Sequence, residues 1–156
     1  MLHVVFTQLP PTANRIYFRG TILTVKARKY AEDFAKYMAQ HHLHEIMLLD
    51  KKSAYAMHLH FYFDSLVNDT WYNDKLSPSK RAKSRYKRID LDNRIKLVTD
   101  CVRDAVAIDD CQIFAASQEK HMDPANQRVE IFLQAIDADN FGLPPIAQGF
   151  LFPEVE

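Results

Sequence analysis

The sequence predicts a single α+β domain, a mixed sheet of about four strands with two main helices on one face. Three observations point there. Residues 54–63 alternate, with Tyr55, Met57, Leu59, Phe61 and Phe63 on one side and His58, His60 and Tyr62 on the other, which is the period of a strand with one buried face. Two other segments, from about Val25 to His42 and after Asp90, repeat their apolar positions at helical spacing. At 156 residues and 47% hydrophobic content, the chain has the size of one domain and enough apolar side chains for a core.

In order along the chain, Leu2 to Gln8 is a β-branched and aromatic run stopped by Pro10-Pro11, a strand leading into a rigid loop from Leu9 to Arg15. Ile16-Tyr17-Phe18 and Thr21-Ile22-Leu23 flank Arg19-Gly20, where glycine permits the positive φ of a tight hairpin. The first helix, capped by Thr24, turns Tyr30, Ala31, Phe34, Tyr37 and Met38 inward. His41, His42 and His44 gather at its C-terminal end, where the helix dipole favours histidine; a metal site there is the weaker reading.

A polar connection through Asp50, Lys51 and Lys52 leads to the alternating strand. His58 and His60 share a face of it but lack a third ligand nearby in the sequence. Asp64 to Lys87 loses apolar periodicity and reads as a long mobile loop, with Trp71 and Tyr72 expected to anchor it to the core and stacking on unpaired bases as their second use. The second helix follows Asp90 with Leu91, Ile95, Val98, Val102, Ala105 and Val106 as its buried stripe. After the acidic turn Asp109-Asp110 come strands Gln112 to Gln118 and Arg128 to Ile136, joined through His121 to Asn126. Residues 137–156, rich in glycine and proline, read as an extended tail whose Phe141, Leu151 and Phe152 dock on the domain or a neighbour.

Cys101 and Cys111 lack zinc-site spacing and read as buried free thiols of a reducing cytosol. With no stretch of membrane-spanning length and no basic-then-apolar leader, the expectation is a soluble, cytoplasmic, nucleoid-associated protein without membrane contact.

Lys plus Arg balance Asp plus Glu at 20 each, so net charge carries no hint of nucleic acid. The distribution does, because Lys75, Lys80, Arg81, Lys83, Arg85, Lys87 and Arg88 crowd one segment. That segment abuts Asp90-Leu91-Asp92-Asn93, with Lys96 and Asp100 one and two turns beyond Asp92 on the same helix face. Cleaving a phosphodiester needs a nucleophilic water, neutralised phosphoryl oxygens and help for the leaving alkoxide, all of which Mg²⁺ held by a few carboxylates can supply. Asp90 and Asp92, in an extended approach to the helix, would aim the same way. Asp109 or Asp110 meets them only if the following strand lies alongside, and Lys96 is placed to touch the scissile phosphate or hold a carboxylate ionised. Aspartates at a helix start also act as caps, so this run alone decides nothing. An EF-hand is excluded, since Ile95 stands where its glycine belongs and Cys101 where its bidentate glutamate belongs.

Two separated motifs together carry more. Leu9-Pro10-Pro11-x-x-Asn14-Arg15-x-Tyr17 comes first, then Asp90-Leu91-Asp92-Asn93 with Lys96, Asp100 and Asp109-Asp110-x-Gln112-Ile113, and Lys120 on the next strand. In this the chain resembles the RusA family of Holliday-junction resolvases across most of residues 4–136. The resemblance implies a homodimeric endonuclease that binds four-way DNA junctions and makes paired, Mg²⁺-dependent nicks in recombination and repair, with Mn²⁺ as a substitute. By position it makes Asp90, Asp92 and Asp110 the metal ligands and Lys96 the catalytic lysine, supported by Asp109, Asp100 and Asn93. DNA contacts would fall to Asn14, Arg15, Lys80, Arg81, Lys83, Arg85, Lys87, Arg88 and Lys120. The domain would span residues 1–136, including a basic loop over 64–88, with 137–156 as the tail. The loop is longer than the family pattern, the segment from the helix to Asp109-Asp110 is shorter by a residue, and the tail has no counterpart. The competing readings are a non-catalytic branched-DNA-binding protein and a nuclease for flaps and other forks.

Overall fold

The architecture follows from the alternation on one central strand. In the computed structural model, which describes residues 1–12, 15–19 and 22–142, β4 (Tyr55–Phe63) buries each odd-numbered residue and half-buries each even one. It lies between β6 (Arg128–Ala135), antiparallel to it, and β5 (Ile113–Met122), parallel to it. β1 (Leu2–Phe6) pairs antiparallel with the far edge of β6, giving the order β1-β6-β4-β5. The register sets Val4, Ile131 and Leu59 in one row across three strands, and Phe6, Val129 and Phe61 in the next. These rows make one apolar face.

Two helices cover that face. α1 (Val25–His41) lays Ala27, Tyr30, Phe34 and Met38 against it, and α3 (Asp92–Val106) lays Leu97, Val98, Cys101, Val102 and Val106. Phe34 meets the Phe6 ring edge-on at 5.2 Å, and the Tyr37 hydroxyl donates to the Val5 carbonyl at 2.7 Å. Thr24 caps α1 by accepting from the Ala27 N–H at 3.3 Å. Ahead of it, β2 (Tyr17–Phe18) and β3 (Ile22–Leu23) form the expected hairpin. Arg19 takes a positive φ of 51° in its turn; Gly20 lies outside the described residues. On β5 the positions facing the helices, Ala116, Gln118, Lys120 and Met122, stay exposed, so helix cover stops short of this edge strand.

The α+β class is the one expected, and several details differ from the sequence reading. A third helix, α2 (Leu43–Leu48), follows α1; none of its residues is buried and Leu43, Met47 and Leu48 are exposed, so it carries no apolar stripe to read. Strand β5 starts at Ile113 and runs on to Met122, since backbone pairing with β4 keeps Glu119 to Met122 in the sheet despite their polarity. On α3, Leu97 and Cys101 are buried while Ile95 and Ala105 are only partly so.

The segment after β4 is closed on itself rather than open. Val67 bridges Tyr86, and the Asn68 side-chain amide donates to the carbonyls of Ser84 at 2.8 Å and Tyr86 at 3.2 Å. Leu66 packs against the core, whereas Trp71 and Tyr72 are exposed and meet each other edge-on at 4.6 Å, so these aromatics do not anchor the loop. Cys101 is buried, and burial pushes its thiol up to about 12. Cys111 is exposed, contrary to expectation, because it sits in a tight 3₁₀ turn (Asp110–Gln112) outside the core. A second such turn, Ala138–Phe141, opens the tail, with the Phe141 ring edge-on to Phe114 at 6.1 Å. Leu151 and Phe152 lie outside the described residues. Among the described residues no helix is long and apolar enough to cross a membrane.

Candidate active site

The start of α3 is built by an aspartate. Leu91, the N-cap residue, is in the right-handed helical region and its side chain caps nothing, so the approach to the helix is not extended. Instead Asp90 Oδ1 accepts from the Asp92 N–H at 3.0 Å, satisfying a free donor of the first turn. Asp90, Asp92 and Asn93 are exposed. Arg94 stacks over the Phe63 ring at 5.5 Å; burial lowers its pKa, opposed by the charge of Asp90. From β5, Lys120 Nζ reaches back to the Ile89 carbonyl at 2.7 Å, fixing the residue just before Asp90 to the exposed edge strand.

One turn on, exposed Lys96 places its ammonium 5.0 Å from the centroid of the Tyr17 ring. The two motifs, far apart in sequence, therefore meet in space. The Tyr17 hydroxyl is closed off from solvent without a hydrogen-bond partner, and burial, then Asp100, then Cys101 raise its pKa.

Two turns after Asp92, about 12 Å of helix rise, a second acidic group assembles. Arg103 grips Asp100 at 3.4 Å and Asp110 at 3.3 Å. Ala107 ends α3 in the left-handed region, turning the chain so that Asp109 and Asp110 return toward the helix. Asp109 and Gln112 form a capping box on the short turn, and the Gln112 amide donates to the Lys51 and Ser53 carbonyls, each at 2.9 Å. The structure thus brings Asp110 to Asp100 and Arg103, with Lys96 between this group and Asp90 and Asp92. Asp90, Asp92 and Asp110 do not stand at metal-ligand spacing as a trio; among the described residues the trio that does is His60, Glu119 and His121.

Of the basic residues, Lys80, Lys83, Arg85, Lys87 and Arg88 are exposed. Arg85 spreads over the Trp71 and Tyr86 rings at 5.8 and 5.5 Å. Arg81 turns inward, donating from Nε to the Leu76 carbonyl at 2.9 Å. Arg15 is exposed, and Asn14 lies outside the described residues. Sequence reasoning missed the site roles of Arg103 and Glu119. Arg103 carried one usable signal, its i+3 spacing from Asp100 on the same helix.

Exposed carboxylates and a lysine in one helical row, beside a loop of accessible cations, are the equipment of an enzyme that handles phosphodiesters. The chain matches the family model described as endodeoxyribonuclease RusA over residues 8–134. It belongs to that family, as the two motifs indicated, and is an endonuclease; the family acts on Holliday junctions. A search of curated proteins returns no match.

Proposed function

We propose that this protein is a Mg²⁺-dependent Holliday-junction resolvase that works as a homodimer in DNA recombination and repair, nicking two opposed strands of a four-way junction. The observation that carries this reading is the row of exposed Asp92 and Lys96 and half-buried Asp100 inside the matched span, with Tyr17 of the first motif against Lys96. The donor set suits the ion. Asp90 and Asp92 offer exposed, hard carboxylate oxygens of the kind Mg²⁺ and Mn²⁺ take, and they would hold it with Asp110. When bound, the ion supplies an activated water and charge neutralisation at the phosphoryl group.

The chain's own residues do the rest. Asp90, fixed by the Asp92 N–H, keeps its carboxylate at the mouth of the helix. Lys96 offsets charge growing on the phosphoryl oxygens. Arg103 pairs with both Asp100 and Asp110; to serve as a third ligand beside Asp90 and Asp92, Asp110 would have to leave that pair, whose carboxylate end is exposed. Lys80, Lys83, Arg85, Lys87 and Arg88, with Arg15 and Lys120, draw in the DNA backbone, and exposed Trp71 and Tyr72 stack on unpaired bases at the branch. A two-fold dimer presents one such site to each of two opposed strands. On this reading residues 1–136, with the basic loop 64–88, are the catalytic domain and 137–156 an extended tail.

The test is nicking of an end-labelled four-way junction with Mg²⁺. Asp90→Asn and Asp110→Asn should each abolish cleavage and leave junction binding intact; wild-type cleavage by either variant would overturn the assignment. The long basic loop favours one second reading, a preference for flaps or other forks, because loops select the DNA shape that fits. A panel of branched substrates separates the two.

A further inference from the structure

We infer that the sheet face turned away from the helices carries a second metal site, of the zinc class, made by His60, Glu119 and His121. The parallel register of β4 and β5 pairs His60 with Glu119 and Tyr62 with His121, so all three ligands stand on that one face. Their donor atoms lie within 4.8 Å of one another.

Other histidines of this face are already occupied. His58 Nδ1 is 2.6 Å from the Ser117 hydroxyl, and His3 Nε2 is 3.4 Å from Glu130 while its ring stacks on Phe132. By contrast, no hydrogen bond or ion pair among the described residues engages the ring nitrogens of His60, which makes ring contacts with His121 at 5.1 Å and Phe132 at 5.3 Å. His121 Nε2 is shielded from solvent and faces Glu119 Oε2 at 3.1 Å without the angle of a hydrogen bond. Among the described residues neither His60 nor His121 Nε2 makes a hydrogen bond, and each has a ring nitrogen within 4.8 Å of the other and of a Glu119 oxygen.

The surroundings preset the ligands. The His121 ring is stacked on Tyr62 at 4.7 Å, and the Arg128 guanidinium lies 3.6 Å over the Tyr62 ring, so the imidazole is clamped from behind. Tetrahedral ligands at about 2.0–2.1 Å from zinc stand about 3.4 Å apart. The three donors stand within 4.8 Å of one another, so the gap left to that spacing is about an ångström. Two imidazoles and a carboxylate suit zinc and its borderline neighbours, whereas Mg²⁺ avoids nitrogen ligands, so the site is chemically distinct from the Asp90 and Asp92 carboxylates. It is also separate in space. Strand alternation sends Lys120, between Glu119 and His121, through to the opposite face, where it holds the Ile89 carbonyl. A bound ion would clip the edge strand β5 to β4, directly behind the lysine that anchors the start of α3.

Calorimetric titration of the untagged full chain with ZnCl₂ tests this, in a Cys111→Ser background that removes the exposed thiol. One zinc per chain is expected, with a thermal midpoint raised by several degrees at saturation. His60→Ala and His121→Ala should weaken binding about 100-fold or more, and Glu119→Gln, a change at an exposed position that leaves folding intact, should weaken it about 10-fold or more. Paired Asp90→Asn and Asp92→Asn should leave zinc affinity unchanged. Absence of saturable binding in the parent, retention of affinity in His60→Ala or Glu119→Gln, or loss of the site in the paired aspartate variant would each overturn the inference. So would binding that disappears only when His41, His42 and His44 are replaced.

Discussion

Replacing Lys96 by methionine separates a structural lysine from a chemical one. Its ammonium lies 5.0 Å from the Tyr17 ring centroid on an exposed stretch of α3. A cation–π contact at an exposed site contributes about 0.5–1 kcal/mol, and methionine keeps an apolar stem over the ring with a similar helix propensity. The loss of stability should therefore stay below about 1 kcal/mol. Removing one preorganised group that stabilises developing charge costs much more, about 2.7–4 kcal/mol of activation energy, or about 100- to 1,000-fold in rate. Single-turnover nicking of a labelled four-way junction at saturating enzyme measures the second quantity, and urea unfolding of the same preparation measures the first. The expected result is a slowing of that size in a protein whose urea midpoint barely moves. A slowing of about threefold or less, or one accounted for by unfolded enzyme, would show that Lys96 serves Tyr17 and not the phosphate.

Three further outcomes follow from named contacts. Changing Lys83, Arg85, Lys87 and Arg88 together to glutamine should flatten the dependence of log affinity on log salt by up to about 3.6, at about 0.9 for each lost phosphate contact. Arg81→Gln should change that slope less, because its half-buried guanidinium donates from Nε to the Leu76 carbonyl and lies 3.9 Å from Asp74; an unchanged slope in the fourfold variant would remove the loop from DNA binding. Phe34→Ala, at a fully buried position against Phe6, should cost about 3–5 kcal/mol in urea unfolding. Stability should fall as the solution is acidified below about pH 4. The Arg128 hydrogen bond holds Asp123 below its ordinary value, and burial, which raises Glu130, is outweighed by Arg128 and His3. Both carboxyls bind protons less readily when folded than unfolded, so their contribution is present above the ordinary carboxylate range and disappears as pH drops through their folded values. Arg128→Met should blunt that acid sensitivity in urea midpoints taken between about pH 7 and pH 3.

How far the sequence could be read depended on whether a residue's neighbours were fixed locally or across the sheet. The β4 alternation and the α1 stripe were legible because burial repeats at the period of the element itself. α2 was not, because a helix with no buried residue leaves no period. The end of β5 was missed for a related reason. Glu119 to Met122 look like a loop by polarity, and only pairing with His60 to Phe63 makes them a strand. That single boundary hid the His60, Glu119 and His121 cluster, since His60 was read with no third ligand while the other two stood on the next strand. The candidate catalytic row divides in the same way. Asp92, Lys96 and Asp100 share a helix face by spacing alone and were found. The position of Asp110 depends on the left-handed turn at Ala107, which no local pattern announces, and on its pairing with Arg103, whose i+3 spacing announces Asp100 but not Asp110. Lys120 shows the two regimes meeting in one residue: strand alternation decides which face it points to, and a hydrogen bond to Ile89 makes that face part of the site.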